Sequence, residues 1–225
     1  MPITDLQVKE VWAKINGDTL FSNVWNKDDI LSSVENSNVA VFKNELSYIK
    51  DEYLRMLVIV GLLFVPSYFF KIPASSTGKY HPKFASGDGG LLRHVKVACL
   101  FAMRMLNINT VPSINPDVVI ASLILHDGFK HGIIEEKFTC DDHAAICADT
   151  LLKIWELVMP DCNSALNSRV SNCIRSHMGQ WNKRKDGSVY APVPQTGEEK
   201  LVHICDYLAA TQTLGFNFDE SNNIV

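Results

Sequence analysis

The segment "NPDVVIASLILHDGFKHG", residues 115–132, decides the architecture, because it reads as a buried helix that ends in charged and imidazole side chains. Apolar residues fill almost every position from Val118 to Leu125, which is typical of a helix with no solvent face. Pro116 stands where the first turn of a helix accepts proline. His126 and Asp127 follow the apolar run directly, and a charged group there is costly unless something pairs with it. We expect the partner to be a metal ion whose other ligands come from elsewhere in the chain.

Helical spacing of apolar residues recurs on both sides of this segment, so the fold class is predicted to be all-α. Asp141 or Asp142 is placed to cap one of these helices, and convincing strands are lacking. The predicted helices span residues 45–64, 91–106, 115–127, 141–158, 164–178 and 197–214.

A change of pattern along the chain predicts two parts. Residues 1–70 form an N-terminal extension, which we expect to be helical and packed on a helical bundle. Residues 71–225 form the metal-binding catalytic domain. Long loops rich in proline and glycine, at residues 65–90 and 179–196, flank the predicted ligand helices, and loops of that length in compact domains are usually functional or disordered.

Composition restricts the class of protein. Hydrophobic residues make up 47% and charged residues 20% of the 225, which is usual for a globular protein with a real core. The net charge of -4 gives no overall basic field for nucleic acid. The most apolar run, Met56–Pro66, is shorter than a membrane span, which needs about 20 residues. The N-terminus lacks the apolar core of a signal peptide. With cysteines that form no CxxC pair, these features predict a cytoplasmic protein with reduced thiols and no membrane contact.

Five predicted helices each carry a candidate metal ligand, and most of these residues stand near helix ends, which can converge on one pocket of a bundle. Imidazole and carboxylate groups suit divalent ions such as Mn, Fe, Zn, Co or Ni. An aspartate inside the apolar "VHICDYLAA" would be protonated if it were unpaired. We therefore predict that one or two divalent ions bind to His94, His126, Asp127, His143, His177 and Asp206.

The ordered set H…HD…H…H…D resembles the HD-domain superfamily of metal-dependent phosphohydrolases in its six-ligand form. The resemblance runs from about Lys79 to Ala210 and is carried by "GGLLRHVKVA", "ILHDGFK", "DDHAAICADTLL", "IRSHMGQW" and "LVHICDYLAA". It implies that the first ion is bound by His94, His126, Asp127 and Asp206. The chain departs from the family in the glycine directly after Asp127, and in the single histidine of "SHMG", where many relatives have two.

The resemblance also implies the catalytic residues. Lys130 corresponds to the lysine of the family's H-D-x-x-K segment, where a cation can neutralise charge that develops on a phosphoryl oxygen. Asp127 would position or deprotonate the attacking water. The loop "SSTGKYHP", residues 75–82, offers Lys79 and His81 as a phosphate cradle. A similar K-x-H loop precedes the first histidine in some relatives, although a plain polar loop is the other interpretation.

Four further residues are candidates for substrate binding. Arg93 stands next to His94 and either faces the phosphate or pairs with a surface acid, and His131 could line the mouth of the pocket. Trp181 and Lys183 share the loop "QWNKRKDGSVYAP", where aromatic stacking and positive charge suit a nucleobase and its phosphate. A solvated basic hairpin is the alternative for that loop.

We expect a metal-dependent phosphohydrolase that cleaves a phosphoester or phosphoanhydride by metal-activated water. The acidic net charge favours a small phosphorylated substrate such as a nucleotide. The part from "IRSHMGQW" to "HICDYLA" is similar to the HD domain of bacterial 3′-to-5′ exoribonucleases, so a nucleic-acid end stays open as substrate. A di-iron HD-type oxygenase acting on a small polyol or phosphonate is the alternative function. The apolar Met56–Phe70 region could also mediate a homo-oligomer.

Overall fold

A computed structural model describes residues 28, 35–108, 113–159, 163–184 and 186–225. Within them the protein is all-α, as predicted: eight α-helices pack together, and the only β pairing in these ranges is two isolated bridges. Short 3₁₀ turns cover Ser67–Phe70, Lys83–Ala85 and Gly179–Trp181. The α-helices are α1 (Ser37–Ala40), α2 (Lys43–Tyr48), α3 (Glu52–Phe64), α4 (Gly90–Ile108), α5 (Pro116–Leu125), α6 (His143–Val158), α7 (Ser164–Ser176) and α8 (Gly197–Ala209).

Helix α5 lies at the centre of the bundle. Its residues from Val118 to Leu125 are all buried, and the helix packs against α2, α3, α4, α7 and α8. The side chain of Asn115 accepts hydrogen bonds from the first backbone N–H groups, and Pro116 occupies the first turn. The predicted buried helix is thus confirmed, and its C-terminal end delivers His126 and Asp127 to the interior of the protein.

The predicted helix over residues 45–64 is wrong in one respect, because the chain leaves the helical conformation at Ile49–Asp51, between α2 and α3. Asp51 begins α3 as its N-cap and accepts a hydrogen bond from the Leu54 N–H. The carboxylate of Asp117 accepts the backbone N–H groups of Lys50 at 2.9 Å and Asp51 at 2.6 Å. These bonds satisfy donors that a continuous helix would have used internally.

The other helices match their predicted ranges except at their ends. Helix α7 stops at Ser176, which leaves His177 at its C-cap, and α8 stops at Ala209 rather than at residue 214. Asp142 occupies the N-cap position of α6, but its side chain makes no capping hydrogen bond. It accepts a hydrogen bond from Arg184 instead.

The described part of the N-terminal extension, residues 35–70, shares one hydrophobic core with the rest of the chain. Helix α3 packs on α5 and α6, and the Trp155 indole donates to the Leu57 carbonyl at 3.0 Å. Residues 1–27 and 29–34 lie outside the described residues, and the division of the chain at residue 70 stays a prediction. None of the described helices combines the length and apolarity of a membrane span.

Candidate metal centre

The ends of several helices bring the six predicted ligands together. His94, in the second turn of α4, places its Nε2 2.9 Å from Oδ1 of Asp206 on α8. His126 directly follows α5, and its Nε2 lies 3.4 Å from the same Asp206 oxygen and 3.5 Å from Oδ2 of Asp127. These four residues are the set that the family resemblance implied for a first ion.

A second group forms on the other oxygen of Asp127. Its Oδ1 lies 3.3 Å from Nε2 of His143, at the start of α6, and 3.7 Å from Nε2 of His177, at the end of α7. The two imidazole nitrogens lie 3.3 Å from each other. Asp127 therefore presents one oxygen to each group.

Three overlapping sets of ligand atoms have all their members within 4.8 Å of one another. His126, Asp127 and His177 each belong to two of the sets, so the groups form one continuous cluster and not separate sites. Every member is buried except Asp206, which is partly buried. The sets are His94, His126 and Asp127; His126, His177 and Asp206; and Asp127, His143 and His177.

Local backbone geometry orients three of the imidazoles. The Nδ1 atoms of His126 and His177 donate to the carbonyls three residues earlier, each at 2.7 Å, and Nδ1 of His143 donates to Cys140 at 2.8 Å. A carbonyl oxygen only accepts, so Nδ1 of each ring carries a proton, and Nε2 is the nitrogen that faces the cluster. Metal-ligating histidines are oriented in this way.

Unsatisfied atoms show that the cluster suits a cation. Among the described residues, Nε2 of His126 and Oδ1 of Asp127 are buried and have no hydrogen-bond partner. A buried polar atom without a partner costs about 1–3 kcal/mol, and more when it is charged. Imidazole nitrogens and carboxylate oxygens are ligands of first-row divalent metals, so the residues present fit such an ion.

The charges in the cluster support the same interpretation. Burial would raise the pKa of both carboxylates, but Lys130 and His126 hold the pKa of Asp127 well below the usual range. His126 and His94 do the same for the pKa of Asp206. Burial would likewise lower the pKa of His126, yet the two carboxylates raise it to about 10. Burial, with the positive His126 beside it, lowers the pKa of His177 to about 3. Two ionised carboxylates thus lie inside the protein and require positive charge.

Lys130 lies against the cluster. Its Nζ is 2.5 Å from Oδ2 of Asp127, and only 8% of the residue is exposed. The spacing of three residues predicted from sequence thus places this ammonium on the central carboxylate. Its position allows it to neutralise negative charge at the site.

The turn after Asp127 is fixed by packing. A Cβ on Gly128 would lie 2.7 Å from Cγ1 of Val65, so glycine is needed where the chain departs from the family pattern. The Tyr68 hydroxyl donates to the Gly132 carbonyl at 2.5 Å and accepts the His131 N–H at 3.1 Å. The ring of His131 is buried against Tyr68, and burial lowers its pKa.

The loop with Lys79 and His81 reaches the cluster through His81. Its ring packs edge-on against His94, with 4.8 Å between centroids, and its Nδ1 is buried without a hydrogen-bond partner among the described residues. Burial, together with His94 and Lys130, lowers its pKa to about 3. Lys79 is exposed, and its carbonyl accepts a hydrogen bond from the Gln212 side chain. The role of both residues in substrate binding stays a prediction.

Arg93 makes contacts within its own part of the fold. Its guanidinium donates to the carbonyls of Phe84 at 2.6 Å and Ser86 at 2.9 Å, and to the side chain of Asn222 at 2.9 Å. These bonds tie α4 to the loop before it and to the C-terminal segment. None of these bonds is to a surface acid, and substrate binding by Arg93 stays a prediction.

Trp181 and Lys183 are both exposed, and Trp181 lies against α8. Sequence reasoning assigned no function to Tyr207 and left His203 aside, but both lie next to Trp181, with ring centroids 5.1 and 5.9 Å away. His203 and Tyr207 are four residues apart in one helix, so they lie on the same helix face, and Asp206 stands between them in the chain. That spacing is the sequence signal that could have indicated a face next to the candidate ligand Asp206.

The buried histidine and aspartate cluster fits an HD-type domain, and membership of that superfamily is part of the proposal below. Comparisons with models of protein families, with curated proteins and with solved structures gave no match for this chain.

Proposed function

We propose that the protein is an HD-type metal-dependent phosphohydrolase that cleaves a phosphoester or phosphoanhydride of a nucleotide or of a nucleic-acid end. One observation carries the proposal: the carboxylate of Asp127 lies between two groups of imidazoles, with the ammonium of Lys130 at 2.5 Å. A buried carboxylate shared in this way suits a site for two neighbouring cations, and such sites clamp phosphoryl groups.

The residues of the cluster divide into those that hold metal and those that act on the substrate. His94, His126 and Asp206 would hold one ion, and His143 and His177 a second, with Asp127 common to both. A bound divalent ion would supply Lewis acidity, which lowers the pKa of water and polarises a phosphoryl oxygen.

The remaining work would be done by charged side chains of this chain. Asp127 would orient the water through Oδ1, which has no hydrogen-bond partner among the described residues. Lys130 neutralises charge on the phosphoryl oxygen, since its ammonium already lies at the site. His81, whose ring packs on that of His94, would help to hold the phosphate together with Lys79.

The test starts with metal analysis of the purified protein, followed by assays of nucleoside phosphates and short RNA or DNA with Mn, Fe or Co added. Asp127→Ala and His126→Ala should abolish turnover and strip the metal while helix content stays near that of the wild type. Asp149→Asn, a change at a surface ion pair, is the matched control and should keep both. Full activity in Asp127→Ala would contradict the mechanism.

A separate pair of variants tests Lys130. Lys130→Ala should slow turnover but keep the metal, since the lysine contributes charge and no ligand atom. Lys200→Ala, at an exposed position of α8, is the control and should turn over at the wild-type rate. Oxygen uptake by the iron-loaded protein distinguishes the alternative function, because a di-iron oxygenase consumes oxygen with its substrate and a hydrolase does not.

A further inference from the structure

An exposed aromatic surface lies beside the candidate metal centre. The rings of Trp181 and Tyr207 contact each other with 5.1 Å between centroids and 36° between planes, and each residue is 48% exposed. We call this pair the Trp181–Tyr207 platform. Neighbouring aromatic rings left in water do little for folding, and exposed apolar groups of this kind mark binding sites.

His203 connects the platform to the metal cluster. Its ring centroid lies 5.9 Å from that of Trp181, and its Nδ1 donates to the carbonyl of His177 at 2.7 Å. Nε2 of His177 is one of the clustered ligand atoms. On the other side of the platform, Tyr207 directly follows Asp206 in α8. Each ring of the platform is thus linked to a residue of the cluster: Trp181 through His203 to the backbone of His177, and Tyr207 through its chain neighbour Asp206.

The platform is held in place before any ligand binds. The Tyr190 hydroxyl donates to the Trp181 carbonyl at 2.5 Å, and the buried Asn182 side chain donates to the Ala191 carbonyl at 2.8 Å. Gly179 has φ +55°, and a Cβ there would lie 2.2 Å from the His203 ring. Only glycine allows the turn to close on His203. A preformed surface of this kind binds its ligand at a lower entropic cost.

Positive charge continues from the platform along the same loop. Lys183 is exposed two residues after Trp181, whereas the guanidinium of Arg184, 5.4 Å from the Tyr190 ring centroid, is paired with Asp142. Aromatic rings on which bases stack, next to cations that follow the phosphate backbone, are the usual means of binding unpaired nucleotides.

We propose that the Trp181–Tyr207 platform stacks an unpaired purine or pyrimidine base of the substrate whose phosphate binds at the metal centre. The inference rests on the proposed function and assigns the residues that would recognise the base of that substrate. A free nucleoside monophosphate and the end of a single-stranded oligonucleotide offer the same base and phosphate, so the experiment includes both.

The test is equilibrium binding by calorimetry to the full-length protein, with AMP, 5′-phosphorylated hexa-adenylate RNA and the base-free ribose 5-phosphate as probes. Wild-type protein should prefer a base-bearing probe over ribose 5-phosphate. Trp181→Ala should weaken that probe's binding about 5- to 150-fold, the range measured for single base stacks, and leave ribose 5-phosphate unchanged. Trp181→Phe should keep most of the affinity, and Phe138→Ala, at another exposed aromatic residue, should keep all of it.

The outcomes separate this inference from the proposed function. No preference for either base-bearing probe, or an equal loss for all probes in Trp181→Ala, would overturn the platform even if the protein hydrolyses phosphoesters. A base preference that depends on Trp181 would support it even if no hydrolysis occurs. If Trp181→Ala loses affinity for the RNA alone, the base belongs to a single-stranded end. If it loses affinity for AMP alone, the base belongs to a free nucleotide. Circular dichroism and metal content verify that the variant is folded.

Discussion

Asp206→Asn removes one negative charge from the centre of the proposed metal site and leaves the size of the side chain nearly unchanged. Oδ1 of Asp206 lies 2.9 Å from Nε2 of His94 and 3.4 Å from Nε2 of His126. The amide oxygen of asparagine can still accept the hydrogen bond from Nε2 of His94, so the metal-free fold should persist. The affinity for a divalent cation should fall, because the ligand that replaces the carboxylate is neutral.

The size of the effect follows from linkage. An ion that binds only the folded protein stabilises it by about 4.1 kcal/mol at a concentration of about 1,000 times its Kd. Even substitutions outside the ligand shell lower metal affinity about 10- to 100-fold, so we take about 100-fold as the least expected from a ligand. At the same metal concentration the stabilisation then falls to about 1.4 kcal/mol. For a chain of this size the difference corresponds to about 5–11 °C in Tm.

The assay is differential scanning calorimetry of chelator-treated protein with and without Mn, Fe, Zn, Co or Ni. The measured quantity is the rise in Tm that the metal produces in each variant, so any change in metal-free stability cancels. Asp149→Asn should show the full wild-type rise. If none of these ions shifts the Tm of the wild type, or if Asp206→Asn shows the same rise, the assignment of the cluster as a metal site is refuted.

Two predictions concern the packing that supports the site. Gly128→Ala should lower the free energy of unfolding by about 1–3 kcal/mol through overpacking, because its Cβ would lie 2.7 Å from Cγ1 of Val65. The urea denaturation curve and the metal titration should both change, and wild-type values would contradict the packing argument. Lys96→Met should lower the free energy of unfolding, measured by urea denaturation, by about 3–5 kcal/mol. The reason is that the buried Glu45 carboxylate loses the ammonium that lies 3.5 Å away. The double variant with Glu45→Gln should recover part of this loss, and equal losses in the single and double variants would exclude the pairing.

Sequence reasoning succeeded where the chemistry of a residue conflicts with its surroundings. Asp206 stands in an apolar helix and His126 ends an apolar run, so each requires a partner wherever the chain folds. The cost of an unpaired buried carboxylate is large enough to override ordinary packing. For that reason the six ligands could be predicted as a set, and the described residues do bring them together.

The features that sequence reasoning missed depend on contacts between distant residues. The break between α2 and α3 follows from the Asp117 carboxylate, which reaches the backbone of Lys50 from 67 positions away in the chain. Lys96 reads as a polar residue of an amphipathic helix, yet it is 1% exposed and donates to the Asn223 side chain at 3.1 Å. Neither partner can be identified from local spacing.

Because local sequence does not reveal distant partners, Trp181 could be predicted as a substrate-binding residue and Tyr207 could not. An aromatic residue in a basic loop is unusual for its neighbourhood, so its own segment marks it as a candidate. A tyrosine in an amphipathic helix is ordinary, and it becomes informative only once the 3₁₀ turn Gly179–Trp181 is placed against α8. A residue that conflicts with its local sequence can therefore be found before the fold is known. A residue whose role arises from its neighbours in space, like Tyr207, needs coordinates.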